Sequence, residues 1–145
     1  MVKKLFLLLG AICLCFCGCV STEPQIDPNL IKIEITYSDS ENITFDIINN
    51  AKDNIEFGSE YYIDYFDGEN WVALEERTET FFTMIAHILE PGGKMNFSFD
   101  IAERYGELSS GKYRIWKDVK LLNEDGEVCG SQRVYGEFEV QVLER

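Results

Sequence analysis

The sequence predicts an all-β protein, an antiparallel sandwich of seven or eight strands that follows an N-terminal export segment. Two observations support this fold class. From Ile31 onward, apolar and polar residues alternate with a period of two, as in strands buried on one face. Turn-forming clusters recur about every 8 to 15 residues and no long stretch has helical periodicity, which is typical of two packed antiparallel sheets.

The first residues have the order of a secretory signal. Lys3 and Lys4 precede an apolar run over residues 5–16, which is shorter than the roughly 20 residues that cross a bilayer as a helix. The sequence over residues 16–19, Phe-Cys-Gly-Cys, resembles a bacterial lipobox, in which the cysteine after the cleavage site carries the lipid. We therefore expect cleavage after Gly18 and lipidation of Cys19, with palmitate or a similar acyl chain.

Other readings of this segment stay open. Cys15 and Cys17 are poorer lipidation candidates because Leu14 and Phe16 would precede the cut. An uncleaved anchor or a plain secretory signal is the alternative to a lipoprotein. With Cys19 lipidated, the chain divides into a signal peptide (1–18), the lipidated cysteine with a Pro-containing linker (19–30) and one domain (31–145) on the extracytoplasmic face of the cell membrane.

Charge narrows the range of partners. Without residues 1–18 the chain keeps 11 basic and 26 acidic residues, a net charge of −15. Such a surface repels phosphate backbones, so no nucleic-acid binding is expected. The membrane, reached through the lipid, and a protein in the cell envelope are the expected partners.

The cysteines do not form a disulfide framework. Four of the five lie in the export segment, and Cys129 is the fifth, in a Gly-flanked stretch expected to be a partly buried loop. If Cys19 carries lipid, no intrachain disulfide is available, and the hydrophobic core alone stabilises the fold.

The strands follow in order along the domain. The hairpin signal Asp67-Gly68 joins the third predicted strand to its return strand. The run at residues 81–89 fits a strand or a short helix, and we favour a strand because the alternation over 95–101 follows it directly. One helical turn is expected over 102–108. The remaining predicted strands cover residues 31–37, 43–47, 61–65, 71–74, 111–119 and 132–143.

One local signature is more specific than the alternation. Residues 108–115, Leu-Ser-Ser-Gly-Lys-Tyr-Arg-Ile, have the form of a tyrosine corner. In such a corner Leu108 covers the core, Gly111 turns the chain and the Tyr113 hydroxyl bonds to nearby backbone. Ile115 then points into the core. Trp71 occupies a position at which a sandwich often places a large core aromatic.

These segments carry a family resemblance. The sequence resembles a bacterial immunoglobulin-like domain of exported proteins and lipoproteins. The resemblance is carried by Gly58-Ser-Glu-Tyr-Tyr-Ile-Asp-Tyr-Phe-Asp-Gly68, Trp71-Val72, Tyr105-Gly-Glu-Leu108, Gly111-Lys-Tyr-Arg-Ile115, Lys117 and Tyr135-Gly-Glu-Phe138. The resemblance spans about residues 33–142 and implies an immunoglobulin-like sandwich outside the cytoplasm, with no reaction.

A second resemblance is to a bacterial proteinase-inhibitor family with the same type of fold. Ile43-Thr-Phe-Asp-Ile-Ile-Asn-Asn, then Leu89-Glu-Pro-Gly92 and Gly111-Lys-Tyr113, run in the same order. It implies, as the alternative function, inhibition or regulation of an envelope protease.

No residues form a recognisable catalytic or metal-binding pattern. His87 is the single histidine and lies among apolar residues, so we expect it to be structural or merely exposed. Neither Glu75 with Glu76 nor Glu103 with Glu107 is singled out as an acid–base pair. Residues 123–127 lack the alternating ligands of a calcium loop and read as a turn. We expect no enzyme activity, no cofactor and no metal.

Outward-facing aromatic residues are the remaining functional candidates. If Tyr61, Ile63 and Tyr65 point inward, then Tyr62 and Phe66 point outward. If Tyr113 and Ile115 point inward, then Trp116 points outward. Several such rings on one sheet can form a binding surface. The alternative is that they cover a second apolar layer or lie singly on the surface. The sequence therefore predicts a membrane-anchored binding or structural module with Tyr62, Phe66 and Trp116 as its candidate surface.

Overall fold

Strands account for most of the chain that the structure describes. The structure is a computed structural model and describes residues 27, 29–77 and 82–142. The predicted signal segment and Cys19 lie outside these residues. The described elements are β1 (Ile31–Ser38), β2 (Asn42–Asn49), β3 (Asn54–Phe57), β4 (Tyr62–Phe66), β5 (Trp71–Ala73), β6 (His87–Leu89), β7 (Lys94–Asp100), α1 (Ile101–Tyr105), β8 (Gly111–Leu122) and β9 (Val128–Val140).

The smaller sheet has three antiparallel strands in the order β1-β2-β7. Ile33 lies opposite Ile47, and Phe45 lies opposite Phe97. The alternation read from the sequence therefore points one set of apolar side chains from all three strands toward the larger sheet. The polar residues of β7 stay on the opposite face.

The larger sheet is built around β8. On one side β9 pairs with β8 along nearly its whole length, from Gly111 opposite Val140 to Leu122 opposite Val128. On the other side β4 pairs with residues 113–116 and β3 with residues 119–122. β3 and β4 thus lie end to end along the same side of β8, like one strand interrupted at residues 58–61. β5 adds to β4 and β6 adds to β3.

Two cations occupy the interruption between β3 and β4. The Lys117 ammonium donates a hydrogen bond to the Glu60 carbonyl, and the Arg104 guanidinium donates one to the Tyr61 carbonyl. Buried backbone groups need such partners, because leaving them unpaired costs free energy. The side chains therefore replace the strand pairing that is lost at the interruption.

The core lies between the inward faces of the two sheets. Its aromatic centre joins Phe45 to Phe97, with ring centroids 5.7 Å apart, and Tyr61 to Phe99, 4.3 Å apart. At Gly136 on β9 the two sheets approach closely: a Cβ there would lie 2.5 Å from Ile33 Cγ2. Glycine is therefore the residue that lets β1 pack on β9.

The helix α1 begins one residue earlier than the sequence indicates. Ile101 starts the helix instead of ending β7, because the Asp100 carboxylate accepts a hydrogen bond from the backbone N–H of Glu103, 3.1 Å away. The helix ends at Gly106, whose positive φ of 79° suits glycine. No helix in the described part of the chain is long and apolar enough to cross a membrane.

The tyrosine corner is confirmed. The Tyr113 hydroxyl donates to the Ser109 carbonyl at 2.9 Å, Leu108 is buried, and Ile115 points into the core.

The predicted antiparallel sandwich is also confirmed, with nine strands among the described residues instead of seven or eight. The prediction from alternation missed β3, because this strand has only four residues before the interruption. The predicted strand over residues 81–89 is wrong over 82–86, and only β6 pairs there; residue 81 lies outside the described residues.

Two side chains differ from expectation. Trp71 is not a core residue: it lies half-buried opposite Phe66, on the outer face of the larger sheet. Cys129 is not in a loop and not buried, because β9 begins at Val128 and carries the thiol exposed.

Candidate functional site

The face of the six-stranded sheet that points away from the core carries both tryptophans and a set of cations. Alternation brings these side chains to one side, because neighbouring strands are in register: Trp116 lies opposite Tyr62 on one side and Tyr135 on the other. We call this surface the outer face. It consists of Tyr62, Asp64, Phe66, Trp71, Lys112, Arg114, Trp116, Asp118, Arg133, Tyr135 and Glu137.

One stack of side chains crosses the outer face at Trp116. The rings of Tyr62 and Trp116 are stacked with centroids 4.3 Å apart. The Arg133 guanidinium lies over the Trp116 ring, 3.6 Å from its centroid, and its Nε donates to an Asp118 carboxylate oxygen at 2.9 Å. This hydrogen bond raises the pKa of Arg133, so the residue stays cationic. Both faces of the Trp116 ring are therefore covered.

A second stack lies at Arg114. Its guanidinium is 4.6 Å from the centroid of the Trp71 ring and 4.3 Å from that of Tyr135. Phe66 packs beside Trp71, with ring centroids 5.2 Å apart. Lys112 lies near the same two rings, 5.8 Å from Phe66 and 5.5 Å from Trp71. Such cation–π contacts contribute about 0.5–1 kcal/mol each where solvent reaches them.

Asp64 joins the two stacks. One of its carboxylate oxygens accepts from Arg114 Nε at 2.7 Å, and the other accepts from Trp116 Nε1 at 3.0 Å. The Asp64 side chain is buried beneath these partners. A buried carboxylate needs such donors, because an unpaired one would cost several kcal/mol. The Trp116 ring and the Arg114 guanidinium are therefore held in place before any partner arrives.

The structure places the three predicted site residues on this one face. Tyr62 and Trp116 touch, and Phe66 lies two residues further along β4, in contact with Trp71. All three are half-buried. The prediction missed Arg114, Arg133 and the other members of the outer face, although the same alternation along β8 and β9 would have marked the even-numbered residues 112–118 and the odd-numbered residues 133–137.

Comparison with known protein families now settles what kind of domain this is. A family model described as a bacterial Ig-like domain matches residues 29–139, most of the chain. The chain belongs to this family. The immunoglobulin-like sandwich expected from the sequence is therefore confirmed.

Solved structures resemble this Ig-like domain at low identity. The archaellum periplasmic stator complex of FlaF and FlaG from Sulfolobus acidocaldarius gives a TM-score of 0.44 at 16% identity, covering 79% of this chain and 92% of that chain. FlaG from the same organism gives 0.38 at 15%, covering 75% and 100%. The PapD-like domain 7 of human CEP192 gives 0.35 at 15%, covering 84% and 92%. No curated protein matches the sequence.

The single histidine of the Ig-like domain packs in the core region. The His87 ring lies 5.6 Å from Phe57 and 5.4 Å from Phe97, centroid to centroid. Its Nε2 is 3.4 Å from Ser59 Oγ, longer than a good hydrogen bond. Among the described residues no carboxylate bonds to His87, and no three His, Cys, Asp or Glu side chains cluster as metal ligands do. The absence of catalysis and of a metal remains a prediction.

Proposed function

We propose that this protein is a lipid-anchored binding module on the extracytoplasmic face of the cell membrane, which holds a protein of the cell envelope through its outer face. The observation that carries the proposal is the concentration of two tryptophans, two tyrosines and two arginines on one side of one sheet. Trp, Tyr and Arg are the residues that contribute most binding energy at protein interfaces. The sandwich itself does not require them there, because its core lies on the other side of the sheet.

The geometry favours a protein over a glycan as the partner. A sugar ring stacks on an open aromatic face, and in this domain Tyr62 covers one face of Trp116 and Arg133 the other. The groups that the outer face presents to a partner are instead ring edges, guanidinium edges and the Asp118 and Glu137 carboxylates. Because Asp64 already orders Arg114 and Trp116, and Asp118 orders Arg133, less side-chain entropy is lost when a partner binds.

The anchor is tested by labelling growing cells with radioactive palmitate. We expect label in the wild-type protein and its loss in Cys19→Ala, because the resemblance of residues 16–19 to a lipobox predicts that Cys19 carries the lipid. Cys129→Ala is the matched control and keeps the label. Wild-type protein without label, or label that persists in Cys19→Ala, would show that Cys19 is not the anchor.

The binding face is tested by photo-cross-linking in the cell. With p-benzoylphenylalanine in place of Tyr135, which is 44% exposed on the outer face, we expect a discrete covalent adduct of defined mass. The matched control carries the same amino acid in place of Tyr37, which is 54% exposed on the smaller sheet, and should give no adduct. Adding Arg133→Ala to the Tyr135 position should reduce the adduct several-fold, since Arg133 holds the Trp116 ring.

Equal adducts at the two positions, or none at either, would contradict binding through the outer face. Mass spectrometry of the adduct also tests the alternative function. Inhibition of an envelope protease requires that the captured protein is a protease.

A further inference from the structure

A cleft opens in the larger sheet where β3 and β6 stop pairing. Beyond Phe57 and His87, which are the last pair in register, strand pairing ends, and the Ser59 and Thr83 hydroxyl oxygens lie 3.4 Å apart across the two segments. The cleft has a volume of about 720 Å³ and is lined by residues 56–60, 82–86 and 118–120 together with Ser131. It adjoins the outer face through Asp118, which both lines the cleft and holds Arg133.

The segment on one side of the cleft is apolar and exposed. Met84 is fully exposed, Ile85 is 54% exposed, and Ile88 in the adjoining strand β6 is 55% exposed. Single exposed apolar residues are common on protein surfaces, but clusters of them mark interaction sites. Residues 82–89, Phe-Thr-Met-Ile-Ala-His-Ile-Leu, contain no charge and no proline.

Strand β6 ends its sheet, so no described strand covers its outer edge. Edge strands usually carry lysine, proline or a bulge that prevents pairing with another chain. β6 has none of these and is limited only by its length of three residues, and the uncharged residues 82–86 directly precede it. The edge and the cleft together have the features of a surface that an extended segment covers.

Charge indicates what kind of segment fits. The residues that line the cleft include three carboxylates, Glu56, Glu60 and Asp118, and one exposed cation, Lys120. Lys120 pairs with Glu56 at 3.2 Å, and Arg133 pairs with Asp118 at 2.9 Å. Glu60 has no ion pair among the described residues, although its carboxylate partly offsets the effect of burial on the pKa of Lys117. Glu90 follows β6 directly. A second copy of this chain, with a net charge of −13, would bring further carboxylates to the same place and be repelled.

We infer that the cleft and the edge of β6 bind an extended segment of the partner protein that carries basic and apolar side chains in alternation. The apolar side chains contact Met84 and Ile85, and the basic ones face Glu60 and its neighbours. The inference rests on the proposed function, since it names the part of the partner that docks beside the outer face.

The test uses the methionine methyl groups as probes. The full chain has three methionines, and in phosphatidylcholine nanodiscs the ¹³C-methyl signals of Met84 and Met95 report on the cleft and on the core side of β7 respectively. An eight-residue peptide of alternating lysine and valine should shift the Met84 signal saturably, with a dissociation constant below about 1 mM, and leave Met95 unchanged. A peptide of alternating glutamate and valine should shift neither.

Two variants distinguish contact with apolar side chains from general electrostatic attraction between the peptide and the acidic protein. Ile85→Asp should weaken binding of the lysine–valine peptide at least tenfold, although it adds a negative charge. Val142→Asp makes the same change at an exposed position that does not line the cleft, and should leave binding unchanged.

Several outcomes would overturn the inference. They are an unchanged Met84 signal, equal shifts with both peptides, and tighter binding in Ile85→Asp. A Met84 shift that depends on protein concentration without peptide would assign the cleft to a second copy. If cross-linking at Tyr135 fails while the peptide still binds, the outer face is rejected as a binding surface and the cleft is retained. The two proposals therefore fail separately.

Discussion

At the scale of single residues, Lys117 is the most unusual feature of the core. It is 1% exposed, and its ammonium lies 5.9 Å from the Phe57 ring centroid and 5.7 Å from that of Phe97. Burial lowers the pKa of Lys117 to about 8, partly opposed by the Glu60 carboxylate. The folded state therefore holds the charged form of Lys117 at a cost.

This cost predicts a dependence of stability on pH. The pKa of Lys117 is about 8 in the folded state and about 10.4 in an unfolded chain, so between these values the unfolded chain binds more protons. The free energy of unfolding should rise by about 2 kcal/mol from about pH 7.5 to about pH 9.5. Above about pH 10 the tyrosines oppose the rise, because burial raises the pKa values of Tyr61 and Tyr105.

Urea titrations at several pH values measure the effect. Lys117→Met should abolish the rise, because it removes the titrating group and keeps most of the length of the side chain. Lys120→Met, at an exposed position on the same strand, should keep it. A wild-type stability that is flat or falls over this range would mean that Lys117 is not held as described.

The sequence could predict where Lys117 points but not why. Alternation along Tyr113, Ile115 and Val119 puts residue 117 inward, whereas lysine is normally a surface residue. The reason lies in the Glu60 carbonyl, 57 residues earlier in the chain, and in the interruption that leaves it without a strand partner. No local pattern encodes that pairing.

At the scale of elements, the corner before β8 fixes where the central strand begins. The Tyr113 hydroxyl closes this corner on the Ser109 carbonyl. Tyr113→Phe removes this hydrogen bond and leaves the ring packed against Phe138, 5.6 Å away between centroids. We expect a loss of about 1 kcal/mol of stability and a fall of roughly 3 °C in Tm.

The matched control for this prediction is Tyr65→Phe. It removes a hydroxyl from a neighbouring, more exposed ring, 6.3 Å from Tyr113, and should change Tm by less than about 1 °C. Equal effects of the two substitutions in thermal unfolding would show that the corner bond contributes nothing specific.

The elements differ in how well the sequence predicts them. β1, β2 and β7 were predicted closely because their alternation is unbroken and one face is buried. The segment 82–86 is predicted as a strand because the alternation over 95–101 follows it, but its own residues do not alternate and so give no indication of pairing. On the outer face, alternation identified Tyr62 and Trp116, but the Asp64 bonds to Arg114 and Trp116 span about 50 residues and depend on register that appears only in the fold.

At the scale of the whole molecule, the described part of the Ig-like domain contains no disulfide. Cys129 is a free, exposed thiol. The packing of the two sheets therefore stabilises the described part of the sandwich without a covalent cross-link.

This organisation predicts that stability is independent of redox conditions. Thermal unfolding of the full chain, followed by tryptophan fluorescence, should give the same midpoint within about 1 °C with and without dithiothreitol. Loss of a structural disulfide typically costs about 2–5 kcal/mol, so a fall of several degrees with reductant would reveal a bridge to Cys129. Cys129→Ala, with no bridge to lose, should match the wild-type midpoint in both conditions.

The interruption between β3 and β4 also gives the larger sheet a mechanical character. The hairpin of β8 and β9 is the continuous centre of the sheet, and the strand pairs β4–β5 and β3–β6 are attached to separate stretches of β8. The two strand pairs form no backbone pairing with each other. One pair can therefore twist, or its outer strand detach, while the hydrogen bonds of the other stay intact. The aromatic stacks join the pair β4–β5 to the hairpin of β8 and β9, and the cleft borders the pair β3–β6. A partner that binds both surfaces would therefore hold the two strand pairs in one relative position.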